Sequence, residues 1–199
     1  YIIANYPDSV VDLGNGQFGI VGLPEDALVD FQLTTPINND QTGTIDGWEF
    51  ALQHNFWDTG FGVILNYTIV DGDAKFDNTL PYTATQFALV GLSDSANAVL
   101  FYDKGPLSAR AAYNWRSDFL QTPRDVIFPF SPVYGEATGQ LDASIFYTLT
   151  PQIKLGVQGV NLLDEVTRTS QVVDFDGTRI TRSAFRNDRR FTFLVRFDF

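Results

Sequence analysis

Gly47-Trp48-Glu49-Phe50-Ala51-Leu52-Gln53-His54-Asn55-Phe56 alternates without a break. One face reads Trp48, Phe50, Leu52, His54, Phe56, and the other Gly47, Glu49, Ala51, Gln53, Asn55. A period of two predicts a β-strand, because an amphipathic helix would return its apolar residues every three to four positions. The pattern recurs along the chain. Phe61, Val63, Leu65, Tyr67 and Ile69 oppose Gly62, Ile64, Asn66, Thr68 and Val70. Leu107, Ala109, Ala111, Tyr113 and Trp115 oppose Ser108, Arg110, Ala112, Asn114 and Arg116. Leu141, Ala143, Ile145, Tyr147 and Leu149 oppose Gln140, Asp142, Ser144, Phe146 and Thr148. The last strand sets Phe191, Phe193, Val195, Phe197 and Phe199 against Thr192, Leu194, Arg196 and Asp198. Residues 95–103 are the least clean case. The chain is therefore all-β and antiparallel.

Composition narrows the class. The 199 residues hold eighteen Phe, no Cys, no Met, one His and a formal charge of −11. Absent Cys excludes a disulfide framework, thiol catalysis and Cys-ligated zinc. The acidic balance argues against nucleic acid as a partner, since no basic surface is available to displace counterions from phosphates. No apolar run is long enough for a membrane helix. Residues 1–78 carry twelve acidic groups and one base, Lys75, whereas residues 79–199 carry twelve of each.

An alternating sheet can bury its apolar face in a soluble sandwich or turn it to lipid. Strands of about ten residues suit a hydrocarbon slab crossed at a tilt. Ring-rich faces, with aromatics near the strand ends, suit a lipid-facing band. The opposite faces carry Glu49, Gln53, Asn66, Arg110, Arg116, Asp142 and Lys154, which a wet lumen tolerates. The links also alternate. Trp57–Gly60, Lys104–Gly105 and Thr150–Gln152 are tight, while 72–94, 119–138 and 174–187 are long and rich in Pro, Gly, Asp and Ser. Outer-membrane barrels show that asymmetry. Residues 28–56 fit one long descending segment kinked near Pro36, with 6–27 a loop and Tyr1–Asn5 the tip of an ascending strand.

Several ordered patches resemble the C-terminal part of the barrel of TonB-dependent outer-membrane receptors. They are Gly47-Trp48-Glu49-Phe50, Gly60-Phe61-Gly62 with Asn66-Tyr67-Thr68, Tyr113-Asn114-Trp115-Arg116-Ser117, Gln140-Leu141-Asp142-Ala143-Ser144 and Asn161-Leu162-Leu163-Asp164-Glu165. The Tyr113–Ser117 patch is similar to a motif of a proteobacterial branch. The resemblance implies a Gram-negative outer-membrane location and a 22-stranded barrel around a plug. At about 25 residues per strand with its loop, the chain supplies about eight transmembrane strands. Residues 1–199 then form a C-terminal barrel segment, with the plug and first strands absent; a start at Tyr1 agrees. Phe191, Phe193, Val195, Phe197 and Phe199 resemble the sorting sequence read by the outer-membrane assembly machinery, and a lipid-facing closing strand would look the same.

The resemblance implies a transporter and not an enzyme, with no cofactor. TonB would be engaged through the absent plug, and lipid or lipopolysaccharide would surround the wall. A small-molecule ligand would meet loops 6–27, 72–94, 119–138 and 174–187, with Glu49, Asn66, Arg110, Asn114, Arg116 and Gln158 facing the lumen. A neutral oligosaccharide is favoured over an anionic ferric siderophore, given the acidic half. Two alternatives stay open at this point: a complete small barrel of about eight strands, structural or lipid-modifying, and a soluble β-sandwich binding module.

Catalytic and metal-binding motifs are weak. His54 lies on the apolar face beside Phe56 in its register, as an interfacial ring would. Gly91-Leu92-Ser93-Asp94 lacks the second glycine of a nucleophile elbow. Asp71, Asp73 and Asp77 have calcium-like spacing, but Lys75 intrudes and the sixth-position glycine and twelfth-position glutamate are missing. Neither a catalytic residue nor a metal ligand is assigned.

Overall fold

The computed structural model describes residues Ala4, Pro7, 10–14, 17–20, 40–81, 84 and 86–198. It divides into two units, Tyr1–Asp40 and Gln41–Phe199. In the first, β1 (Val10–Gly14) pairs antiparallel with β2 (Gln17–Ile20). The stretch expected as a loop over 6–27 therefore contains a small hairpin. The strand tip expected at Tyr1–Asn5 lies, but for Ala4, outside the described residues. So does most of the 28–56 segment ahead of Asp40.

The second unit is built on a seven-stranded antiparallel sheet. Its strands are β3 (Ile45–Asn55), β4 (Phe61–Gly72), β5 (Ser95–Lys104), β6 (Leu107–Arg116), β9 (Thr138–Thr150), β10 (Ile153–Val160) and β13 (Arg190–Phe197), side by side in that order. A second sheet has the order β12 (Arg179–Arg186), β11 (Val166–Val172), β8 (Val133–Gly135), β7 (Phe119–Thr122). The lateral order matches, because β6 runs on into β7, β8 into β9, β10 into β11 and β12 into β13. Both sheets are open. Among the described residues β3 and β13 each have one strand neighbour.

Two of the long links are therefore shorter than the sequence suggested. Residues 119–138 and 174–187 contain β7, β8 and β12, and the true connections are 123–132 and 173–178. These strands lack a strict apolar alternation, yet their backbone groups still require partners, which the neighbouring strands of the outer sheet supply. The link 73–94 has no strand among its described residues. At the other end of the sheet the connections are tight, including a 3-10 turn at Trp57–Thr59 closed by Gly60 at φ 86°.

The strand junctions carry left-handed residues. Asn161, Asp164 and Asp188 have φ of 55°, 57° and 36°, a conformation that Asn and Asp adopt more readily than other side chains. Buried Asn161 organises the break. Its backbone N–H donates to Asp142 Oδ1 at 2.9 Å, and its Oδ1 accepts the Glu165 N–H at 2.8 Å. Its Nδ2 donates to the carbonyls of Glu165 and Asp188.

Register joins the alternating residues into two continuous faces. Leu52, Leu65, Ala98, Tyr113 and Leu141 form one row across five strands. Trp48 opposes Ile69, Leu155 opposes Val195 and Val157 opposes Phe193 on the same face. This face is exposed: Trp48 is 72% accessible, Leu100 51% and Phe193 78%. Within the seven-stranded sheet Val99, on the other face, is the one buried large apolar side chain among the described residues. A soluble sandwich would bury the aromatic face against a second layer, so that alternative fails. An apolar surface spread over seven strands is far larger than a water-exposed monomer tolerates. Hydrocarbon is the solvent that stabilises it.

The opposite face has two phenylalanines, Phe101 and Phe146. Each lies over the glycine directly across from it, Gly62 and Gly156. A methyl group added at Gly62 would come within 2.2 Å of the Phe101 ring, and one at Gly156 within 2.5 Å of the Phe146 ring. The rings cover backbone that would otherwise lack side-chain packing, as in aromatic rescue of strand glycines.

Candidate functional site

The polar face gathers every lumen candidate drawn from the sequence. Asn66, Asn97, Asn114 and Gln140 stand in one row on four consecutive strands, with Ala51 at its end. Glu49, Thr68, Ser95, Arg116 and Thr138 form the next row. Arg110 lies between Phe101 and Ser144, and Ser144 opposes Gln158, which opposes Thr192. Neighbouring strands lie about 4.8 Å apart, so each row is a regular array of hydrogen-bonding groups. Asn97 Nδ2 donates to Asn114 Oδ1 within the amide row.

Arg116 has a further task. Its Nε donates to Ser93 Oγ at 2.6 Å, its Nη2 donates to the Gly91 carbonyl at 3.0 Å, and its guanidinium lies 3.7 Å from the Phe119 ring centroid. The serine of the elbow-like stretch is thus a partner of an arginine that pins the 73–94 link. Asp94 Oδ1 accepts the Val70 N–H at 3.0 Å, and the Gly91 N–H donates to the Leu120 carbonyl. The calcium-like carboxylates are committed separately. Asp71 pairs with Lys75 at 3.0 Å, Asp73 Oδ1 accepts the Thr44 N–H, and Asp77 Oδ1 accepts from Thr79. His54 packs edge-on against Phe56, ring centroids 4.9 Å apart, and near Trp57.

Beside the outer sheet, three separate segments line a half-open cavity of about 350 Å³. They are the long link through Phe76, Asn78, Leu80, Pro81, Ala84 and Gln86, the β7–β8 connection 123–132, and residues 172–175 at the end of β11 and beyond it. Phe76, Phe130 and Phe175 supply rings, together with several prolines. Asn78, Arg124 and Asp174 supply polar groups. Asn78 Nδ2 donates to Tyr134 Oη at 2.9 Å, and Tyr134 Oη donates to Asn78 Oδ1 at 3.0 Å. That pair ties the long link to buried Tyr134 of β8. The Arg179 guanidinium stacks 3.5 Å from the Tyr134 ring centroid and pairs with Asp118. Volume and mixed lining fall in the range of small-molecule sites.

Charges around the cavity are mostly spoken for. The Thr178 N–H, 2.9 Å from Asp174 Oδ1, and the Asp176 N–H hold the Asp174 carboxyl below its ordinary value of 3.8. Desolvation pushes the Asp125 carboxyl up, but Arg182, 2.8 Å away, and the Val126 N–H outweigh it and leave it lowered. Arg124 has its guanidinium 4.6 Å from the Phe130 ring centroid and no ion pair among the described residues. Phe130 itself holds φ of 64°, a region unfavourable for a bulky side chain and characteristic of binding and functional sites.

The sequence reading missed Arg124, Phe130, Asn78 and Tyr134. One signal was available: Val126-Ile127-Phe128-Pro129-Phe130 is an apolar run inside a link otherwise rich in polar and turn residues. Of the terminal pattern, Phe191, Phe193, Val195 and Phe197 are exposed on the apolar face of β13; Phe199 lies outside the described residues.

An open, antiparallel wall with one hydrocarbon face, one polar face and elaborated connections at one end defines an outer-membrane-type β-barrel segment. A family model described as TonB dependent receptor-like, beta-barrel matches residues 2–162. The chain belongs to this family, whose members are outer-membrane transporters and not enzymes. No curated protein and no solved structure matches the chain.

Proposed function

We propose that the chain is the C-terminal part of the barrel wall of a TonB-dependent receptor that takes up an oligosaccharide across the outer membrane. The observation that carries this reading is the pair of opposed faces: apolar and exposed across seven strands, with hydrogen-bonding rows behind. The apolar face meets lipid and lipopolysaccharide, and the polar face lines the lumen. The tight turns lie in the periplasm, and the outer sheet with its cavity stands outside the cell. Further strands pair with the open edges of β3 and β13, and a plug elsewhere in the receptor engages TonB. The β13 face, Phe191 to Phe197, is read by the barrel assembly machinery. Ring walls beside amide groups support a sugar ligand, because pyranose faces are apolar and their rims are hydroxylated.

Uptake of labelled oligosaccharides by cells with and without the intact receptor gene tests the reading. Accumulation is expected to need the receptor, TonB and the proton-motive force together. Accumulation that persists without TonB would reject active transport. Receptor-dependent uptake of ferric siderophores alone would reject the sugar.

A further inference from the structure

We propose that the cavity is a subsite for an acidic sugar unit, with Arg124 taking its carboxylate; this rests on the oligosaccharide reading above. Four arginines around the outer sheet are engaged: Arg116 by Ser93 and Gly91, Arg179 by Asp118, Arg182 by Asp125 and Arg186 by Asp164. Arg124 lines the cavity with no such partner among the described residues. Its sequence neighbour Asp125 is taken by Arg182, and Asp174 across the lining is occupied in capping its own turn.

Geometry adds a second, independent observation. The Arg124 guanidinium carbon lies 4.6 Å from the centroid of the Phe130 ring, whose backbone is held in the left-handed region. A guanidinium placed over a ring face still presents its planar fork of donors, the group that receives a carboxylate through two parallel hydrogen bonds. Phe76 and Phe175 leave the rest of the lining apolar enough to pack a ring face. The acidic excess of residues 1–78 does not cancel this preference. Charges beyond about 8 Å are largely screened at physiological ionic strength, and Asp71, at the end of β4 beside the link, is paired with Lys75.

The test is binding of uronic-acid oligomers to the full-length receptor in detergent. Trimers of galacturonate, glucuronate and mannuronate are each titrated beside their carboxyl-reduced neutral forms, by calorimetry at pH 7. At least one acidic trimer is expected to bind about ten-fold or more tightly than its reduced form. Arg124→Gln should erase that difference between the acidic and the reduced trimer. Arg124→Lys should restore only part of it, because an ammonium is a point charge without the fork. Equal binding of acidic and reduced trimers, untouched by Arg124→Gln, would overturn the subsite and leave the oligosaccharide reading standing. Failure of every acidic trimer to bind the wild type would also overturn the subsite, whereas the oligosaccharide reading falls only to the uptake result given above. Heat-modified gel mobility of each variant confirms that the barrel has folded.

Discussion

The seven-stranded sheet and the outer sheet solve opposite problems with the same strands. In the first, large side chains stay exposed on one face, and Val99 alone among the described large apolar residues is buried. In the second, four short strands carry Val133, Tyr134, Ser170 and Val172, all buried, although the sheet is barely half as wide. The contrast follows from solvent. A wall between lipid and water needs no interior, because hydrocarbon receives its apolar face and water its polar one. Past the lipid, the same chain segments must cover their own apolar groups, and the 73–94 link folds against them to do so. A cavity arises there because packing loops onto a small sheet leaves gaps that a flat wall does not have.

The strongest way to break this comparison is a charge on each face. Leu65→Arg, central on the apolar face, is expected to destabilise the barrel by about 2–4 kcal/mol, the cost of an arginine at the bilayer midplane. Asn66→Arg, its neighbour on the polar face, should cost a small fraction of that. Urea titration of the full-length receptor refolded into lipid vesicles reads both. Equal losses would mean that the faces do not differ in solvent.

A smaller effect is expected at Tyr134. Tyr134→Phe leaves the Asn78 amide without its hydroxyl partner, a loss of about 1–2 kcal/mol. It should raise hydrogen exchange in the 73–94 link and the outer sheet while β5 and β6 stay protected. Faster exchange throughout β3–β6 would show that the outer sheet supports the wall, contrary to the division drawn here.

The smallest effect concerns acid. The Asp174 carboxyl is held below 3.8 in the folded chain, so its capping contribution is complete above 3.8. It is lost as pH falls through the lower, folded value. Pepsin cleavage at exposed Phe175 is expected to be slow at pH 4.5 and to become faster as pH is lowered below 3.8, while the wall remains intact. Asp174→Asn, which keeps an acceptor oxygen at every pH, should flatten the rise. An unchanged rise in that variant would remove the cap as its cause.

What was legible in the sequence tracks these two regions. Strands β3, β4, β6, β9 and β13 stood out because lipid on one side and water on the other impose a period of two. Ser95–Lys104 read less cleanly, since Val99 and Phe101 sit on the otherwise polar face. Strands β7, β8 and β12 read as loop in the sequence. Their surroundings do not divide by face, so nothing in their side-chain order announces a strand. Residues such as Glu49, Asn66 and Arg110 could be placed on a face by parity alone. The company they keep, including the amide row from Asn66 to Gln140, needed the register between strands.

The cavity marks the limit. Asn78, Arg124, Phe130 and Asp174 come from three connections up to about a hundred residues apart, and no spacing rule links them. By itself the sequence determined the strands of the wall, their two faces and the tight turns, because each depends on residues within about ten positions of one another. Only the tertiary structure decided the outer sheet, the second task of Arg116 and the position of Arg124, which has no ion pair among the described residues. Those depend on which connections meet in space, and loop contacts are set by packing and charge partners, not by local period.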